Sequence, residues 1–110
     1  MTLDSIAREI RKDVVRMHRR GSNVGSAMSA VDILTALYFD RMHLPSPDDP
    51  ARDRFILSKG HAAAALYATL AQKGFIDRST LTQFLADGSP LMGHPCAGLV
   101  PGVELSTGSL

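Results

Sequence analysis

The chain has 110 residues, 45% of them hydrophobic and 21% charged, which suits at most one soluble, globular domain. A net charge of +1 gives no basis for a dedicated nucleic-acid binder, and no apolar run nears the roughly 20 residues needed to cross a bilayer. The single cysteine, Cys96, excludes an internal disulfide, the N-terminus carries no secretory signal, and Asp4, Glu9 and Asp13 argue against a transit peptide, so a cytoplasmic location is expected.

Leu3, Ile6, Ala7, Ile10, Val14 and Met17 recur at helical spacing, with Arg8, Arg11, Lys12, Arg16 and Arg19 largely on the other side. The pattern predicts an amphipathic helix from about Leu3 to Arg19, its basic face solvated and holding some ion pairs. His18, near the C-terminal end, gains no role beyond its comfort at that pole. Gly21 to Ser26 reads as a loop of turn formers. Ser29 is the expected cap of a second helix, with Asp32 three places on and an apolar face of Val31, Leu34, Thr35, Leu37 and Tyr38 ending near Asp40. His43 to Asp53 contains Pro45, Pro47, Pro50 and several acids, the composition of a surface loop.

Phe55-Ile56-Leu57 is a short apolar run, expected to form a strand buried on both faces. Ser58-Lys59-Gly60 then turns the chain into an alanine-rich helix over Ala62 to Lys73, with Gly74 as its stop. Free N–H groups and the positive end of that helix would face the turn holding Lys59 and His61, an arrangement suited to an anion such as phosphate. An ordinary strand-to-helix connection accounts for the same residues. Asp77 or Ser79 can cap a short helix holding Leu81, Phe84 and Leu85. Asp87 to Gly102 has too many glycines and prolines for a regular element, and its apolar Leu91, Met92, Leu99 and Val100 point to a functional loop. Ser106 or Thr107 is placed to cap a further helix. His61, His94 and Cys96 are zinc-binding residue types, but three residues at this spacing with no fourth ligand speak against zinc.

Three motifs then align with a family. Leu57-Ser58-Lys59-Gly60-His61, Gly88-Ser89-Pro90-Leu91-Met92-Gly93-His94-Pro95 and Pro101-Gly102-Val103-Glu104-Leu105-Ser106-Thr107-Gly108-Ser109-Leu110 resemble the N-terminal, thiamine diphosphate-binding domain of transketolase. Gly25 to Leu34 fits the same pattern. The likeness spans nearly the whole chain and is closest to the split type, in which this domain is a separate subunit.

The resemblance implies an α/β fold, with this chain as the helix-rich leading part of a parallel-sheet domain over residues 1–110. It implies transfer of a two-carbon ketol unit between sugar phosphates, with thiamine diphosphate as cofactor. By the resemblance, His61 and His94 are catalytic: His61 lies beside the diphosphate and His94 hydrogen-bonds the reacting unit. Gly108 and Leu110 surround the aminopyrimidine. Asn23 stands where the family usually has a substrate-binding histidine, and an amide cannot change charge near neutral pH. The family's Gly-Asp-Gly segment lies beyond Leu110, so ligands for Mg2+ or Ca2+ are expected from outside this chain. The C-terminal pyrimidine-binding subunit is likewise expected from outside, across an oligomer interface. The alternative is a non-catalytic homologue acting as an interaction module or a simple sugar-phosphate binder.

Overall fold

A computed structural model describes residues 2–18, 24–86, 89–91, 98 and 100–105. Three α-helices pack on one another: α1 (Leu3–Met17), α2 (Val24–Ala36) and α3 (Ala63–Lys73). Among the described residues there is no strand.

α3 is the centre. Every residue from Ala63 to Ala71 is buried, so this helix has no solvent face for most of its length. Its alanines allow close approach by α1 and α2, while Leu66, Tyr67 and Leu70 fill the space between them. The buried Thr69 hydroxyl donates to the Ala65 carbonyl at 2.7 Å, so that hydroxyl is not stranded. Gly74 closes the helix as read from the sequence: its φ is +90°, and the Phe75 N–H reaches back to the Leu70 carbonyl at 2.9 Å.

α1 forms as its periodicity predicts, burying Ile6, Ala7, Ile10, Val14 and Met17. The Thr2 hydroxyl caps it by accepting from Ser5 N–H at 3.1 Å. At the far end the His18 Nδ1 lies 2.6 Å from the Val14 carbonyl, which makes that nitrogen the donor. Its Nε2 is buried with no hydrogen-bond partner among the described residues, and the ring packs on Phe84. Asp13, also on α1, is buried and accepts from Arg78 Nε at 3.1 Å, Arg78 Nη2 at 2.8 Å and Arg16 Nη1 at 3.1 Å. The carboxylate thereby ties α1 to the 3-10 helix Arg78–Gln83, which Asp77 caps at Ser79 N–H as expected.

Two expectations are corrected. The second helix starts at Val24, not after Ser29, so Val24, Gly25 and Ser26 are helical rather than loop. Burial of Ala27 alongside Val31 and Leu34 draws the helix back by more than a turn, overriding the loop character of glycine and serine. α2 ends in a π-helical turn, Leu37–Arg41, close to the expected Asp40. The second correction concerns Phe55–Leu57. This run forms no strand and has no ladder partner among the described residues, and Ile56 is 52% exposed while Leu57 is buried. Burial alternates along it instead of covering both faces. The Pro-rich loop before it is closed at its neck, where His43 N–H donates to Asp53 Oδ2 and Asp53 N–H to the His43 carbonyl.

Candidate functional site

The turn between the apolar run Phe55–Leu57 and α3 is built first as one wrap of 3-10 helix, Gly60–Ala62. Ala62 N–H donates to the Lys59 carbonyl at 2.9 Å, and Ala63 N–H to the Gly60 carbonyl. Two of the donors expected to face an anion are thus taken up by the turn itself. Neither Lys59 nor Ala62 supplies a side-chain cap, so the turn is held by backbone bonds and by the burial of Gly60 and Ala62. His61 is half-buried beside them and engaged by its surroundings.

Lys59 reaches across to α2. Its ammonium donates to the Ser29 Oγ at 2.6 Å and the Ser26 carbonyl at 3.2 Å. Ser29 in turn donates to that same carbonyl at 2.9 Å. The lysine therefore fastens the turn to α2. Ser29, expected as a cap, is the hydroxyl that receives it.

Further along the chain Pro101-Gly102 forms the corner of a type II turn. Val103 N–H donates to the Val100 carbonyl at 3.1 Å, and Gly102 has φ +96°. Val100 and Val103 are buried, which seats the turn against the Leu70 and Phe75 side chains. Directly after it, Glu104 accepts two hydrogen bonds from Arg52, Nε to Oε2 at 2.8 Å and Nη2 to Oε1 at 2.7 Å. Those bonds hold the Glu104 carboxyl below the usual carboxylate range, against the opposing pull of burial. Tyr38 is buried nearby, and its phenol is pushed up by burial and, secondarily, by the Glu104 charge.

Of the residues singled out from the sequence, the structure describes His61. Asn23, His94, Gly108 and Leu110 lie outside the described residues, as does Cys96. Sequence reasoning passed over Arg52, Glu104 and the Asp13–Arg78 pair. Charge alone gives no signal for such links, because the partners stand 52 and 65 positions apart. The described residues contain no cluster of three His, Cys, Asp or Glu side chains able to hold a metal, and no helix long and apolar enough to cross a membrane.

Comparison with known proteins gives a consistent set of matches. Residues 2–110 fit the family described as transketolase, thiamine diphosphate binding domain. An apulose-4-phosphate transketolase subunit from Phocaeicola vulgatus is 42% identical over 113 residues, an alignment covering 99% of this chain and 40% of that protein. A 6-deoxy-6-sulfo-D-fructose transketolase subunit, SqwG of Clostridium sp. (strain MSTE9), is 40% identical over 90 residues, covering 80% of this chain and 33% of that protein. Among solved structures, transketolase from Leishmania mexicana superposes with a TM-score of 0.90 at 32% identity, covering 100% of this chain and 17% of that one. The chain therefore spans about two fifths of the length of the first of these relatives, and less of the others.

Proposed function

The chain belongs to the thiamine diphosphate-binding domain family of transketolase, and from that premise we propose that it is the leading part of such a domain, residues 1–110, acting in transfer of a two-carbon ketol unit between sugar phosphates. The relatives named as subunits support a complementary chain carrying the rest of the active site. The strands of a parallel sheet come, in this reading, from sequence outside the described residues, with Phe55–Leu57 as the one apolar run of this chain suited to join them.

The observation that supports this best is the Ser58–His61 turn, fastened to α2 and leading into the largely buried α3, with His61 half-buried at the helix entrance. A histidine held there suits one end of an anionic cofactor, because its ring nitrogens can donate and accept hydrogen bonds. In the proposal His61 contacts the diphosphate, His94 the substrate hydroxyls, Gly108 and Leu110 the aminopyrimidine, and Asn23 the substrate through its amide. The cofactor, when bound, supplies the electron sink that stabilises the transferred two-carbon unit. The described residues do not fit a divalent cation, since they offer no ligand cluster, and Mg2+ or Ca2+ would take its oxygen ligands elsewhere. A stand-alone sugar-phosphate binder is the weaker reading, because Lys59 is committed to α2.

The test is to mix the chain with a transketolase C-terminal subunit, thiamine diphosphate and Mg2+, and to follow ketol transfer from a ketose phosphate. Transfer that disappears in the His61→Ala/His94→Ala double variant is expected. Undiminished transfer by that variant overturns the roles given to both histidines.

A further inference from the structure

One contact joins two loops that are far apart in sequence. Arg52 lies at the end of the Pro-rich loop, six places before Ser58, and Glu104 follows the Pro101-Gly102 corner, four places before Gly108. Their side chains are only 16% and 13% exposed and meet fork to fork.

Both partners are fixed from behind. Arg52 Nη1 also donates to the Asp49 carbonyl at 2.9 Å, which locks the guanidinium onto its own turn. Glu104 follows a turn whose geometry is set by Gly102 and by the burial of Val100 and Val103. A planar two-bond pairing between two such braced groups leaves little freedom in register or angle. A pair withdrawn this far from water adds little net stability over apolar residues of similar size, so its distinctive effect is on geometry.

We propose that Arg52 and Glu104 are positioning residues that set the stretch entering Ser106–Leu110 in register with the Ser58–His61 turn. The inference rests on the functional reading above, in which Gly108 and Leu110 meet the cofactor. Neither residue touches a reactant. Loss of the pair therefore weakens cofactor binding and leaves turnover at saturating cofactor close to that of the parent chain.

Two measurements on the full chain test this, each with Glu104→Gln, Arg52→Lys and the exchanged pair R52E/E104R. The first is amide hydrogen exchange over residues 100–105 in the chain alone. Exchange about tenfold faster in both single variants, with α1 and α3 unchanged, is expected for a lost anchor. The second is the thiamine diphosphate concentration that half-saturates ketol transfer in the presence of Mg2+ and the complementary subunit. It should rise by about tenfold in the single variants, with kcat within about twofold, and return most of the way in the exchanged pair. Arg52→Lys keeps the charge and loses the fork, so an effect there separates geometry from charge. Unchanged exchange in both single variants overturns the anchor. Faster exchange with an unchanged half-saturating concentration overturns its link to the cofactor. If the single variants exchange faster but the parent chain shows no cofactor-dependent transfer at all, the functional reading fails while the anchor stands.

Discussion

Gly102 shows how much a single hydrogen atom can matter. A Cβ added there would lie 2.7 Å from Leu70 Cδ2 and 3.3 Å from Phe75 Cδ2, at a φ of +96°. Leu70 is wholly buried, so its methyl group has nowhere to go. Strain in the left-handed region and overpacking add, and Gly102→Ala should cost about 2–4 kcal/mol in urea unfolding. Asp13 gives a contrasting case. Its side chain is 5% exposed, while Arg16 and Arg78 are 59% and 51% exposed. Removing the carboxylate strands nothing, because both guanidinium groups turn to water. Removing the arginines leaves a charge in a nearly dry site. So Asp13→Leu should change stability by less than about 1 kcal/mol, and R16A/R78A should cost about 3 kcal/mol. Equal losses from the two changes would refute the argument. Pro101-Gly102 was legible in the sequence as a break, yet its role in aiming Glu104 was not, because that depends on Leu70 and Arg52, which are distant in the chain.

Elements were legible where apolar spacing and terminal signals agreed. α1 follows its periodicity, and α3 runs from the expected turn to the expected glycine. At Gly74 the agreement can be measured. Nothing lies within 4 Å of an added Cβ, so Gly74→Ala tests conformation alone and should cost about 1 kcal/mol, read as a lower melting temperature. The start of α2 was not legible. Gly25 and Ser26 carry the composition of a loop, and the force that makes them helical comes from Ala27 and Val31 packing in the core and from Lys59 reaching over to Ser26 and Ser29. Phe55–Leu57 was misjudged for a related reason. An apolar triplet announces extended backbone, but pairing needs neighbours, and local sequence does not say whether they are present. The same limit applies to the site. The motif at residues 57–61 names a turn correctly, whereas Lys59's allegiance to α2 is set by a helix 30 positions upstream.

At the scale of the whole molecule, pH acts through the links between loops. Glu104 binds a proton less readily in the folded chain than in the unfolded one, because Arg52 favours its charged form. The stability it contributes is therefore complete above the ordinary carboxylate value of about 4.3 and is lost as pH falls through the lower folded value. Tyr38 acts with the opposite sign. Burial, and then the Glu104 charge, hold its phenol protonated, so the folded chain keeps a proton that the unfolded chain gives up. Its contribution is complete below the ordinary tyrosine value of about 10 and declines as pH rises beyond it. The melting temperature should thus form a plateau from about pH 5 to 9 with a fall on each side. Glu104→Gln should flatten part of the acid fall, and Tyr38→Phe part of the alkaline fall, each leaving the other limb in place. The coupling adds a sharper expectation. With Glu104 neutralised, one of the two forces on Tyr38 is gone, but burial, the larger cause, remains. The alkaline limb of Glu104→Gln should therefore be only slightly shallower than that of the parent. Circular dichroism melts across that range would decide it, and an alkaline limb abolished by Glu104→Gln would show that charge, not burial, governs the phenol.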